Sequence, residues 1–389
     1  MPTDAPPIER PASGEGPPAS REDQRWMARA LALAERGRYT TSPNPRVGCV
    51  LVRDGEVIGE GFHARAGEPH AEVLALRQAG PQARGATAYV TLEPCSHVGR
   101  TPACAPQLVE AGVARVVTAM SDPNPRVAGR GHAILRDAGV DVLEDIAPAT
   151  ARALNPGFVS RMERGRPWVT VKIAQSLDGR SALASGESQW ITGEAARRDV
   201  QFLRARQCAV LSGIDTVLTD SARLNVRLSA DELGIDGEVR QPTRVVLDSG
   251  LRLPPFAAIF DSPGAVWLYT RDAKDGVHHE ALLKREATLI EVPAAPGLGL
   301  DLGFIVADLA RREINEVLVE AGAKLAGAFV AAGLCDELIV YQAPMLLGHA
   351  ARPALALPEP AALADAPCWT LVDETRIGED LRLTLRSAH

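Results

Sequence analysis

The chain has 389 residues, enough for two or three domains at roughly 150 residues each. Apolar residues make up 46% and charged residues 23%, which excludes a wholly disordered, collagen-like or coiled-coil chain. Lys and Arg number 42 against 49 Asp and Glu, so a net charge of −7 gives no blanket attraction to nucleic acid or to an anionic membrane. No run of about 18 apolar residues is present, and no membrane span is expected. Six cysteines (Cys49, Cys95, Cys104, Cys208, Cys335 and Cys368) are too sparse for a disulfide scaffold, and no secretory signal precedes them. The expected location is cytoplasmic, where thiols are free to bind metal.

Residues 1–22 carry six prolines and almost nothing to bury, so they are expected to form a disordered tail. Ser20 and Asp23 have capping-box spacing, and Met27, Ala30, Leu31 and Ala34 then recur at helical intervals. Val47–Val52 reads as a strand, with Asp54-Gly55 as a hairpin signal before Val57 and Ile58. A helix over 71–78, a strand over 87–92, a helix over 105–110, a strand over 113–119 and a helix over 133–137 follow. This alternation predicts an α/β layer fold over 23–150. The proline- and arginine-bearing stretch 151–165 is expected to be a linker. A second α/β pattern over 166–389 opens at Trp168-Val-Thr-Val-Lys172, with strands near 209–211, 244–247, 265–269 and 316–320.

The strongest chemical signal is His70-Ala-Glu72, then Pro94-Cys95, then Cys104. One imidazole and two thiolates make a three-ligand zinc set with one coordination place open, where a water would ionise near neutral pH. Positions i and i+2 of a regular helix lie about 200° apart. His70 and Glu72 therefore converge only if His70 sits at the helix entry, which Pro69 before it favours. Glu72 then stands beside the metal-bound water as a proton carrier and not as a ligand. This is the arrangement of zinc nucleobase deaminases, except that eight residues separate Cys95 from Cys104 where two are usual. Gly99 and Pro102 supply turn chemistry for the longer loop. A closed structural site with His97 as fourth ligand remains open.

Thr91-Leu-Glu-Pro-Cys-Ser-His-Val-Gly-Arg-Thr-Pro-Ala-Cys104, Ser42-Pro-Asn-Pro-Arg-Val-Gly48 and Asp122-Pro-Asn-Pro-Arg-Val-Ala-Gly129 closely resemble the bifunctional deaminase–reductases of riboflavin biosynthesis. So do Lys172-Ile-Ala-Gln-Ser-Leu-Asp-Gly-Arg180 and Ser185-Gly-Glu-Ser-Gln-Trp-Ile-Thr192. The resemblance implies a cytidine-deaminase-like three-layer domain followed by a dihydrofolate-reductase-like domain. It implies zinc-dependent hydrolysis of a ring amino group on a phosphorylated diaminopyrimidinone ribosylamine, then NADPH-dependent reduction of the ribosyl group to ribityl. Glu72 would move the protons of the first step. Asn44 resembles the family's substrate-contacting asparagine. His63, His97 and Arg100 could line the same pocket, with Arg100 reaching the phosphate.

In the second half no Rossmann fingerprint stands in a strand–turn–helix setting, and Gly297-Leu-Gly299 with Gly303 has the wrong spacing. Val317–Glu320 running into Gly322 and a helix is a better phosphate site, because a helix N-terminus presents free amides. The resemblance assigns NADP contacts to Gly322, Ala323, Lys324, Leu325, Ala326, Gly327 and Ala328, and to Ala174, Trp190, Thr216, Asp220 and Ser249. It assigns substrate contacts to Lys172, Ser188, Arg204, Leu224, Arg227 and Glu320. Arg204 and Arg227 suit a phosphate, which a guanidinium grips in bidentate fashion. Two rivals remain. A zinc deaminase acting on a nucleic-acid base would need an aromatic, basic channel, and aromatic residues are only 4% of this chain. A structural zinc module joined to a nucleotide-binding domain would release no ammonia. A homo-oligomer without nucleic-acid or membrane partners is expected.

Overall fold

The computed structural model describes residues 19–96, 102–125, 127–271, 276–293 and 299–387. Residues 1–18 of the expected tail, His97, Gly99, Arg100 and Gly297 lie outside them. The first half runs α1 (Arg21–Glu35), β1 (Gly48–Arg53), β2 (Glu56–Phe62), α2 (Ala71–Ala79), β3 (Thr87–Val90), α3 (Cys104–Glu110), β4 (Arg115–Thr118), α4 (Arg130–Asp137), β5 (Asp141–Leu143), α5 (Pro148–Leu154) and α6 (Pro156–Arg164). Ser20 caps α1 in a reciprocal capping box with Asp23. Asp54 and Gly55 both take positive φ, the two-residue turn whose twist suits the β1–β2 hairpin.

The sheet order is β2-β1-β3-β4-β5, antiparallel through β1 and parallel from β3 onward. Alternate residues of β1 bury on opposite faces. Val50 and Val52 join Trp26 and Met27 of α1 and Phe158 of α6, whereas Cys49 and Leu51 join Ala71, Ala75, Leu108 and Leu135 of α2, α3 and α4. Helices therefore cover both faces, giving the expected three layers.

The stretch 151–165, expected to be a linker, is largely helical. Pro148 and Pro156 open α5 and α6, where a missing N–H costs nothing. Phe158 and Val159 complete the first core, and Arg164 reaches Asp336 in the second half.

The second half contains β6 (Trp168–Ser176), β7 (Arg180–Ala182), α7 (Glu194–Arg206), β8 (Ala209–Gly213), α8 (Ile214–Thr219), α9 (Ala230–Leu233), β9 (Thr243–Leu247), β10 (Val266–Thr270), α10 (Val277–Leu283), β11 (Ala287–Glu291), α11 (Leu302–Arg311), β12 (Glu316–Glu320), α12 (Ala323–Ala331), β13 (Glu337–Ala343), β14 (Arg352–Pro353), β15 (Trp369–Ile377) and β16 (Asp380–Ser387). Its main sheet has the order β11-β10-β9-β8-β12-β6-β13-β16-β15, parallel except where β16 meets β13 and β15. From β8 the chain moves on to β9 on one side, and from β12 it moves to β13 on the other. The carboxyl ends of β8 and β12 thus form a topological switch point, where open α/β sheets bind ligands.

Candidate active sites

His70 is the N-cap of α2 with an extended backbone, as the spacing argument requires. Its side chain meets two thiols: Cys104 Sγ lies 3.3 Å and Cys95 Sγ 3.6 Å from Nδ1. Cys104 opens α3, and its backbone N–H donates to Cys95 Sγ at 3.2 Å. The early end of β3 frees the following residues to cross to the site. One donor atom from each of His70, Cys95 and Cys104 lies within 4.8 Å of the others, a cluster that could hold a metal ion. Hydrogen bonding from Cys104 holds the Cys95 thiol well below its ordinary range. Soft thiolates plus imidazole suit zinc.

Glu72, at the second position of α2, is buried, and its Oε2 has no hydrogen-bond partner among the described residues. Burial, reinforced by Cys95, pushes its carboxyl up to about 7. A buried acceptor without a protein partner beside three convergent soft donors fits a site built around a metal and a water.

Asn44 Nδ2 lies 2.9 Å from His63 Nε2, and the His63 ring stands edge-on to His70 with centroids 5.2 Å apart. Burial lowers the His63 pKa, favouring the neutral ring, whose Nδ1 faces the Pro69 carbonyl at 3.3 Å. That tautomer donates to Pro69 and accepts from Asn44. Asn44 and His63 are therefore brought to the metal cluster.

The sequence reasoning missed Glu93. Buried beside Pro94-Cys95, it accepts from the backbone N–H groups of Asp122, Gly129, Gly131 and His132 at 3.1, 2.9, 2.8 and 3.4 Å. A Cβ on Gly131 would lie 2.0 Å from the Pro94 carbonyl oxygen, so only glycine fits there. The signal was present in the paired Leu-Glu-Pro-Cys and Asp-Pro-Asn-Pro blocks, which this clasp joins.

The second set of residues gathers at the switch point. Glu320 ends β12, pairs in register with Lys172 of β6, and is gripped by Arg204 at 2.6 and 3.0 Å. Burial alone would raise the Glu320 carboxyl, but Arg204 and Lys172 hold it below its ordinary value. The third nitrogen of Arg204 donates to the Asn225 carbonyl, so three of its five N–H donors are used in the structure. Arg227 is exposed and electrostatically coupled to Arg204 and Glu320. Leu224, between them in sequence, is buried with a positive φ of 54°, a conformation that costs a branched residue roughly 1–3 kcal/mol.

Gly322 is the N-cap of α12, and a Cβ on it would lie 3.9 Å from Thr216 Oγ1 of α8. Asp220 ends α8 and bonds Gln189, next to Trp190. Trp190 is 65% exposed, with the Arg197 guanidinium stacked 4.4 Å from a ring centroid. Ser249 follows β9, Ala174 lies on β6, and Ser188 is in the loop before Trp190. Lys324 and Ala328 are exposed, Ala326 is buried in the core, and Gly327 is buried against the backbone of Ala356.

Comparison with known proteins follows the same division. The family described as "RibD C-terminal domain" matches residues 167–383, and "Cytidine and deoxycytidylate deaminase zinc-binding region" matches 20–120. Riboflavin biosynthesis protein RibD of Escherichia coli (strain K12) is 52% identical over 372 residues, spanning 94% of this chain and 100% of that protein. The chain belongs to the RibD family. It is a bifunctional deaminase and reductase of riboflavin biosynthesis. RibD of Haemophilus influenzae is 49% identical over 94% of this chain and 97% of its own. The Acinetobacter baumannii RibD structure, form 1, superposes with TM-score 0.87 at 46% identity, covering 95% of this chain and 99% of that one. A Thermotoga maritima diaminohydroxyphosphoribosylaminopyrimidine deaminase/5-amino-6-(5-phosphoribosylamino)uracil reductase gives 0.81 at 31% identity, covering 94% and 99%. No helix among the described residues is long and apolar enough to cross a membrane.

Proposed function

We propose that the first site deaminates 2,5-diamino-6-(5-phosphoribosylamino)pyrimidin-4(3H)-one and that the second reduces the ribosyl group of the product to ribityl with NADPH. The observation that carries the first half is the convergence of His70, Cys95 and Cys104 beside Glu72, whose Oε2 has no hydrogen-bond partner among the described residues. These three side chains would hold zinc, which supplies an acidified water when bound. Glu72 holds the proton taken from that water, gives it to the ring nitrogen next to the carbon under attack, and returns a proton to the leaving ammonia. Asn44, fixed by neutral His63, bonds the pyrimidine rim through its remaining donor and acceptor.

For the reductase, the N-terminus of α12 and the neighbouring α8 offer backbone amides to the cofactor phosphates. NADPH supplies the hydride, and the chain's part is to hold substrate against it. Glu320, set by Arg204, orients the ribosyl hydroxyls beside Lys172, and exposed Arg227 takes the phosphate. Arg204 is thus a positioning residue in this reading. A homo-oligomer fits the exposed Leu371 and Val372 on edge strand β15. The net charge of −7 and the appended reductase disfavour a nucleic-acid base as substrate.

The test is metal analysis followed by incubation with the diaminopyrimidinone phosphate, with and without NADPH. The expected result is one bound zinc per chain, exchange of an amino nitrogen for oxygen without reductant, and a gain of two hydrogens only when NADPH is added. Reduction without deamination, or ammonia release from a zinc-free protein, would overturn the reading.

A further inference from the structure

The loop that carries Asn44 is held from its own half, where Arg46 Nη1 donates to the Leu154 carbonyl at 2.6 Å, and from the second half as well. Arg46, two residues on, donates to both carboxylate oxygens of Glu316 at 2.9 and 3.2 Å, and both side chains are nearly buried. Glu316 is the first residue of β12, the strand that ends in Glu320. Asn155 closes a two-way bridge to the Arg46 backbone, accepting from its N–H at 2.8 Å and donating to its carbonyl at 3.0 Å. Asn315 Nδ2 donates to the Pro43 carbonyl at 2.6 Å, and Arg161 in turn donates to Asn315 Oδ1. Ser42 Oγ donates to Cys208 Sγ at 3.0 Å. The neighbouring loop that ends in ligand His70 is also tied across, through Arg65 to the carbonyls of Asp236 and Glu238.

Asn44 stands between Pro43 and Pro45, whose rings fix φ on either side. A displacement of Arg46 therefore reaches Asn44 with little local slack. We propose that Glu316 of the reductase domain, acting through Arg46, is a positioning residue that sets Asn44 at the deaminase centre. The proposal rests on the deaminase reading above and adds that the first site is not complete without the second domain. Misplacing a substrate-holding group by about 1 Å can cost up to ~100-fold, so a partial loss of position should cost about tenfold.

The experiment measures ammonia release by the full-length, zinc-loaded protein as parent, Glu316→Ala, Glu316→Gln, Asn44→Ala and the Asn44→Ala/Glu316→Ala pair. NADPH-dependent reduction of the deaminated substrate and zinc content are measured on the same preparations. Glu316→Ala should lower deaminase kcat/KM about tenfold while zinc content and reduction stay at parent values. Glu316→Gln, which keeps one acceptor for Arg46, should recover most of the loss. In the Asn44→Ala background the Glu316 change should cost less than about twofold, because its effect passes through Asn44. The same tenfold loss in that background, equal losses in both activities, or no loss at all would overturn the proposal. Glu316→Gln carries the same comparison if the alanine variant is poorly folded. A parent protein that releases no ammonia would instead overturn the deaminase reading itself.

Discussion

Substitution of Glu93 tests the reasoning about what holds the metal site together. Its two carboxylate oxygens serve four backbone N–H groups between Asp122 and His132, three of them at 3.1 Å or less. Glu93→Ala removes every acceptor at once and leaves donors in a buried place. A hydrogen bond to a charged group contributes about 1.5–3 kcal/mol, and a buried donor left alone costs about 1–3 kcal/mol. Water entering the vacated volume recovers part of this, so a net loss of about 3–5 kcal/mol is expected for the first domain. At about 2–4 °C per kcal/mol, its unfolding midpoint should fall by about 10 °C. Glu93→Gln keeps the volume but turns one acceptor into a donor facing N–H groups, and should cost about half as much. Because Gly131 presses on the Pro94 carbonyl, the loosened loop should also release Cys95, and zinc should pass to a chelator faster. Thermal unfolding followed by calorimetry, with zinc release followed by a colorimetric chelator, reads both effects. A midpoint within about 2 °C of the parent with unchanged zinc release would refute the clasp.

Glu72→Gln should retain zinc and NADPH-dependent reduction while ammonia release falls by about 10² or more; parent-rate release would remove Glu72 from the proton path. Asp23 gives a pH test: burial would raise its carboxyl, but hydrogen bonds from Arg115, Ser20 and Tyr89 hold it down at about 2 against 3.8 unperturbed. A depressed folded pKa contributes stability that is present above about 4 and lost as the pH falls toward 2, so the stability gap between the parent and Asp23→Asn should shrink by about 2 kcal/mol over that window in urea titrations. A gap that is flat with pH would contradict the assignment. Glu320→Gln should reduce NADPH consumption by about 10² with ammonia release unchanged, because the change breaks the Arg204 fork at the second site only; equal loss of both activities would show a folding defect instead.

The metal centre was legible because its geometry is local. A histidine and a glutamate two residues apart can share a focus only at a helix entry, and His70 is found there. Elements with a clear period also fell within a few residues of expectation, β1 and α2 among them. What escaped depends on partners far along the chain. The pairing of Arg204 with Glu320, 116 residues on, has no local signal. Arg164 and Arg166 stand near the expected domain boundary, and their shared partner Asp336 lies some 170 residues on. Pro148 and Pro156 each open a helix, the position at which proline is tolerated. Glu93 had no visible role because its four donors all lie beyond the next strand.

One strand bears on both reactions. Glu316 at the start of β12 touches the loop of Asn44, and Glu320 at its end stands in the proposed reductase site, about 13 Å away at ~3.3 Å per residue. Between them β12 is paired with β8 on one side and with β6 on the other, and Val317, Leu318 and Val319 are buried. A strand bonded along both edges and packed on both faces has no second arrangement of similar energy, and coupling between sites requires such a pair of arrangements. The strand therefore acts as a fixed spacer. It spans from the loop of Asn44 to Glu320 with no side chain of its middle three residues free to move.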